Sequence, residues 1–184
     1  MAKLGSAPER VELLLQTARF VTLATADTVG VPWASTVNYV LLQNQDIRLI
    51  WYSMRDAQHS RNIEGRPLIS GSIFRMDLSP EQSPVGLDGI QFTGHCGAIS
   101  DERAADIHAK YYLFNFPEEA TRKQWMIPLE QFIGTGPRRF YELVIGKLWL
   151  LDLERWLLDR EDRRFEVVDL STLSPARQRM DGRA

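Results

Sequence analysis

Residues 47–64 read IRLIWYSMRDAQHSRNIE, an apolar run that gives way abruptly to a polar one. The first part, Ile47 to Ser53, is rich in β-branched and aromatic residues and predicts a strand. The second, from about Ala57 to Glu64, predicts a short helix with Asp56 as its N-cap, stopped by Gly65 and Pro67. The break between them collects Ser53, Arg55, His59, Ser60, Arg61 and Asn62. Hydroxyls, an imidazole, an amide and two guanidiniums at one strand end suit a phosphate monoester. Such a dianion needs fixed positive charge, several hydrogen-bond donors and, best of all, a helix N-terminus.

Working outward, residues 33–42, WASTVNYVLL, predict a longer strand, joined to the first through a hairpin turn at QNQD (43–46). Trp33, Ser35, Val37, Tyr39 and Leu41 share one face, and Ala34, Thr36, Asn38, Val40 and Leu42 the other. Both faces mix polar with apolar groups, unlike a strand packed only on a core. Ser35, Thr36 and Asn38 therefore need partners, and a ligand edge would supply them. Before this strand, FVTLAT (20–25) predicts another, followed by a turn at Asp27, Gly30 and Pro32. Residues 6–18 predict an amphipathic helix that closes one side of a barrel. Ser6 and Glu9 have capping-box spacing, and Val11, Leu14, Leu15 and Ala18 form its buried face.

Downstream, LISGSIF (68–74) predicts a strand in which Gly71 marks a close approach. Residues 75–89 hold two prolines and two glycines and predict a flexible loop. GIQFTGHCGAIS (89–100) resumes as a strand, with Gly94 and Gly97 marking a bulge or corner. Ser100 caps a helix running to about Phe114, with Ala104, Ile107, His108, Tyr111 and Phe114 on one side. A second short helix covers 118–125. Residues 140–152 predict a strand kinked at Gly146, and FEVVDL (165–170) an edge strand. The final SPARQRMDGRA predicts disorder. Short hairpin links between six strands, with three or four helices interspersed, favour a mainly β, α+β fold: an antiparallel six-stranded barrel. The barrel domain spans 1–152, and 153–184 form a charged C-terminal extension.

The totals exclude several classes. A chain of 184 residues with formal net charge −2 has no general attraction for nucleic acid or an acidic membrane. One cysteine, Cys96, rules out an intrachain disulfide and a multi-cysteine metal site. No apolar run is long enough to span a bilayer, and MAKLGSAPERVE lacks the apolar core of a secretory signal, so a cytoplasmic protein is expected.

Three segments together resemble the pyridoxamine 5′-phosphate oxidase-like family of FMN-binding split barrels. FVTLATADTVGVPWASTVNYV is similar to the family's opening hairpin. WYSMRDAQHSRNI resembles its phosphate-binding turn and helix. GIQFTGHCGAISDERAADIHAKYYLFNFP resembles the later strand and helix of small bacterial members. The likeness covers about residues 10–150. It implies a homodimer with FMN at the subunit interface and a small-molecule substrate. By position, Ser35, Thr36, Val37 and Asn38 match the strand beside the isoalloxazine, and Tyr52 and Ser53 the end of the next strand. His59, Ser60, Arg61 and Asn62 match the segment that holds the phosphate, and Gln91 a position near the ring. The true oxidases carry an Arg early in the strand occupied here by Ser35–Tyr39, and a Lys where Asn62 stands. They also place Arg and His near the C-terminus to hold their substrate's phosphate, where this chain reads YELVIGKLWLLD. Pyridoxamine phosphate is therefore a poor fit as substrate.

The resemblance implies an FMN-dependent oxidoreductase, although no general acid or base stands out. The alternatives are a non-enzymatic flavin- or haem-binding protein and a deazaflavin-dependent reductase. Haem would draw its axial ligand from His59, His95 or His108. Among these, His108 reads as a core histidine on an apolar helix face. Cys96, on the opposite strand face from His95, reads as a small buried hydrophobe. Ser60 and Arg61 also have an ordinary reading as solvated helix residues.

Overall fold

The computed structural model describes residues 4–43 and 46–168. The centre of the QNQD turn and the tail expected to be disordered lie outside these residues. In chain order the elements are α1 (Ala7–Thr17), β1 (Phe20–Ala26), β2 (Pro32–Asn38), β3 (Val40–Gln43), β4 (Ile47–Met54), α2 (Gln58–Gly65), β5 (Leu68–Arg75), β6 (Asp88–Ala98), α3 (Asp101–Asn115), α4 (Glu119–Trp125), a 3₁₀ turn (Leu129–Gln131), β7 (Arg138–Leu151), α5 (Leu153–Asp159) and β8 (Arg164–Glu166).

All strand pairs are antiparallel, in the order β2-β1-β5-β6-β7-β4-β3, with β8 added beside β7. The two ends of this path, β2 and β3, are one stretch of chain interrupted at Tyr39. The sheet therefore curls round on itself, and the fold is an α+β antiparallel split barrel. The six strands read from the sequence are all present. The count rises to eight because the 33–42 strand breaks in two and the strand expected over 165–170 is present as β8, beside β7, with residues 169 and 170 of that expectation outside the described residues. Tyr39 is 3% exposed and its hydroxyl donates to the Leu15 carbonyl at 2.7 Å, which holds the break against α1.

The barrel interior is filled by Val21, Leu23, Leu49, Trp51, Ile73, Phe92, Leu143 and Leu148. Trp51 and Tyr141 stack there with centroids 5.9 Å apart. α1 closes one side with Val11, Leu14 and Leu15, as its periodicity predicts. It is also clamped by a buried ion pair: Arg10 Nε and Nη2 donate to the Asp88 carboxylate at 2.8 and 3.0 Å, and Nη2 also to the Leu151 carbonyl. A second cluster lies outside the barrel, where Ile107, Tyr111 and Tyr112 of α3 cover Val40, Ile50, Phe132 and Phe140. His108 sits in it, donating from Nε2 to the Ile127 carbonyl at 2.7 Å, the role expected of a core histidine.

Two glycines mark close approaches. A Cβ on Gly71 would lie 2.5 Å from the Phe92 ring and 2.6 Å from the Thr22 carbonyl, so the near contact is with protein. A Cβ on Gly94 would lie 2.2 Å from the Val144 carbonyl, at the point where the β6–β7 register slips and Gly146 is left without a pair. Gly97 has open space around its Cβ position and takes no part in the bulge. The loop between β5 and β6 is braced internally: Leu78 N–H donates to Gly86 O, and the buried Ser83 hydroxyl to Leu87 O.

Candidate functional site

The β4–α2 junction sits at one end of the barrel, and α2 lies across it. Asp56 is not the helix cap. Ala57 occupies that position, and the start of the helix is tied instead by Ser60, whose hydroxyl donates to the Met54 carbonyl at 2.8 Å. The tight turn after Met54 leaves Asp56 exposed, where its carbonyl accepts from Arg61.

Three expected site residues from different elements meet here. His59 reaches from α2 into the barrel mouth. Its Nδ1 lies 3.1 Å from Ser35 Oγ on β2, and its Nε2 lies 2.7 Å from Ser53 Oγ on β4. Trp33, 49% exposed, donates from its indole to Ser35 Oγ at 3.0 Å. Burial holds the His59 imidazole below its usual pKa, favouring the neutral ring. Arg55 and Arg61 are exposed beside this corner. Arg61 also reaches the Gln58 side chain at 2.7 Å.

The remaining expected residues separate into two groups. Ser60 and Asn62 are each 2% exposed and engaged within the chain. Asn62 donates to Thr25 Oγ1 at 3.0 Å and accepts from Gln58 at 2.8 Å. Asn38 is likewise engaged, by Arg19 O and the Tyr111 hydroxyl. Val37 packs against the barrel core. The Tyr52 ring lies under α3, with Tyr111 and Phe132 both 5.3 Å away, centroid to centroid.

Thr36 and Gln91 belong to the second group, on the outer face of the sheet. The register aligns Ala34 with Ala24 and Ser70, and Thr36 with Thr22 and Ser72; Ser72 in turn faces Gln91. All but the half-buried Ser72 are exposed, giving a floor of short, neutral side chains. Phe20, Leu68 and Phe74, 58%, 66% and 52% exposed, lie on the same face. An exposed apolar face of this kind on an ordered sheet marks an interaction surface.

The sequence reading missed Trp33 and Thr25 as partners of the site. Their signal was available in the strand period, since Trp33 shares a face with Ser35 and pairs with Thr25 in register. A cavity of about 590 Å³ at the start of α1, lined in part by Glu9, Arg10, Asp152 and Phe165, contains none of the expected residues.

The donor set fits an FMN-type cofactor. Two guanidiniums, a serine hydroxyl and the first-turn amides of α2 suit its phosphate, and the flat neutral floor suits a planar ring. Among the described residues no His, Cys, Asp and Glu group could hold a metal ion. None of the described helices is long and apolar enough to cross a membrane.

Fold and site together define an antiparallel split β-barrel with a helix lying over a polar mouth. The chain belongs to the pyridoxamine 5′-phosphate oxidase family, whose profile matches residues 7–150. Among solved structures it is similar to a heme-binding protein from Mycobacterium smegmatis, with 21% identity and a TM-score of 0.61 over 90% of this chain and 59% of that one. The chain thus spans less than two thirds of that protein. It is also similar to the heme storage protein HutZ from Vibrio cholerae, with 18% identity and a TM-score of 0.52 over 77% and 92% of the two chains. A FAD-binding protein from Mesorhizobium loti gives 17% identity and a TM-score of 0.55 over 79% and 94%. Identities this low show a shared fold. No curated protein matches the chain.

Proposed function

We propose that the chain is a homodimeric flavoprotein that binds FMN and acts as an oxidoreductase on a small molecule. The observation that carries this reading is the uncovered floor of Thr22, Ala24, Ala34, Thr36, Ser70 and Gln91, which begins on the strand whose inward Ser35 joins the phosphate corner. In this reading the floor takes the planar ring, and Ser53, Arg55 and Arg61 take the phosphate. A second copy packed on Phe20, Leu68 and Phe74 covers both, by a self-complementary two-fold contact. Bound flavin supplies the hydride chemistry. The chain's own residues fix the phosphate, keep water from the ring and shape the substrate space.

The test is mass spectrometry of the ligand released from purified protein, followed by anaerobic reduction with NADH or NADPH. FMN that bleaches with either donor supports the enzyme. FMN that bleaches with neither leaves a flavin carrier, and a deazaflavin mass replaces the cofactor named here.

One observation favours a second reading, haem binding. His95 is exposed on the outer face opposite Leu68 and makes no hydrogen bond among the described residues, whereas the rings of His59 and His108 are engaged. Two of the similar folds are named for heme. A Soret band that disappears in His95→Ala would establish it.

A further inference from the structure

The hydrogen bonds across the barrel mouth can run in either of two directions, set by the His59 tautomer, and one of them follows from Trp33. An indole N–H is a donor only, so Ser35 Oγ accepts from Trp33 at 3.0 Å. The single hydroxyl hydrogen of Ser35 then has one partner among the described residues, His59 Nδ1 at 3.1 Å. A neutral imidazole that accepts at Nδ1 carries its own hydrogen on Nε2. That hydrogen points at Ser53 Oγ, 2.7 Å away. In this direction Ser53 accepts from His59, and its own hydrogen has no acceptor among the described residues.

We propose that Trp33, Ser35 and His59 form a directional relay that fixes His59 as the Nε2–H tautomer and turns the Ser53 hydroxyl outward as a donor to a phosphoryl oxygen of a phosphate monoester. The ligand half of this proposal rests on the flavin reading above. The opposite direction only moves the unpartnered hydrogen from Ser53 to Ser35, and it has Ser53 donate to the imidazole, so that only lone pairs face the anion's oxygens; a phosphoryl oxygen beside Ser53 selects the first direction because it gives that hydrogen an acceptor. His59 is accordingly a positioning residue, acting on the ligand through Ser53. Arg55 and Arg61 supply charge at this corner, and the relay supplies an oriented neutral donor.

The experiment has two parts. Long-range proton–nitrogen correlation on ¹⁵N-labelled protein without ligand reads the His59 tautomer directly. Nε2–H is expected, and Nδ1–H overturns the relay. Ser35→Ala should raise the Nδ1–H population; should that variant not fold, Trp33→Phe removes the upstream donor instead and should move the population the same way. An unchanged spectrum in the folded variant also overturns the relay.

In the second part, Ser53→Ala is titrated with FMN and with riboflavin. FMN affinity should fall roughly tenfold, as expected for a lost hydrogen bond to a charged group, while riboflavin affinity stays the same. Equal weakening of both ligands, or none for FMN, overturns the phosphoryl contact. Full-length protein that binds no FMN sinks the flavin reading and the phosphoryl contact with it, while the tautomer spectrum still decides the relay.

Discussion

Arg61 lies at the start of α2, exposed, with its guanidinium bridging the Asp56 carbonyl and the Gln58 side chain. If it supplies charge to a phosphate, Arg61→Ala should weaken FMN binding by about 1.5–3 kcal/mol, at least tenfold, in a fluorescence-quenching titration. Unchanged affinity would assign Arg61 to the solvated helix surface. His59 gives a second prediction, in stability. Burial holds its folded pKa below the ordinary histidine value, so the unfolded chain takes up the proton first as pH falls. Its contribution is complete above that value and is lost as pH drops from there toward the folded pKa. Urea midpoints on either side of it should show the decline, and His59→Gln should flatten it. The residue types at this corner were legible in the sequence, because strand, break and helix follow from local pattern. The direction each one faces was not. Ser60 and Asn62 are buried because α2 lies on the barrel with that side inward, and a docking angle is a tertiary property that no eight-residue pattern contains.

At the scale of elements, α1 is held by more than its apolar stripe. Arg10 and Asp88 are 5% and 2% exposed, and lose their partners' compensation if either is truncated. Arg10→Ala should cost about 3–5 kcal/mol in chemical denaturation, because it leaves a buried carboxylate uncompensated. A loss below about 1 kcal/mol would mean that water reaches the pair, as for an exposed ion pair. Nothing in the sequence pointed to this clamp. The partners are 78 residues apart, and an arginine on a helix face ordinarily reads as solvated. Strands and helices with regular periods were readable: α1, β1, β4 and the buried side of α3 all follow their patterns. The break at Tyr39 was hidden, because its polar hydroxyl and large ring look like any strand residue until Leu15 accepts from it.

For the whole molecule, the barrel closes because one interrupted strand supplies both ends of the sheet. Among the described residues, the outer face of β1, β2 and β5 stays uncovered. A charge placed there should block the proposed two-fold contact without touching the core. Thr22→Lys is expected to give a folded monomer by sedimentation velocity, with a melting temperature lowered by the lost association and no longer dependent on protein concentration, and a variant that stays dimeric would move the interface elsewhere. The central claim is that this face and the α2 corner together hold a flavin phosphate. Native mass spectrometry of the full chain with added FMN tests it most directly: the account predicts a dimer carrying one FMN per chain, and a protein whose mass is unaltered by FMN, or that carries haem instead, would contradict it.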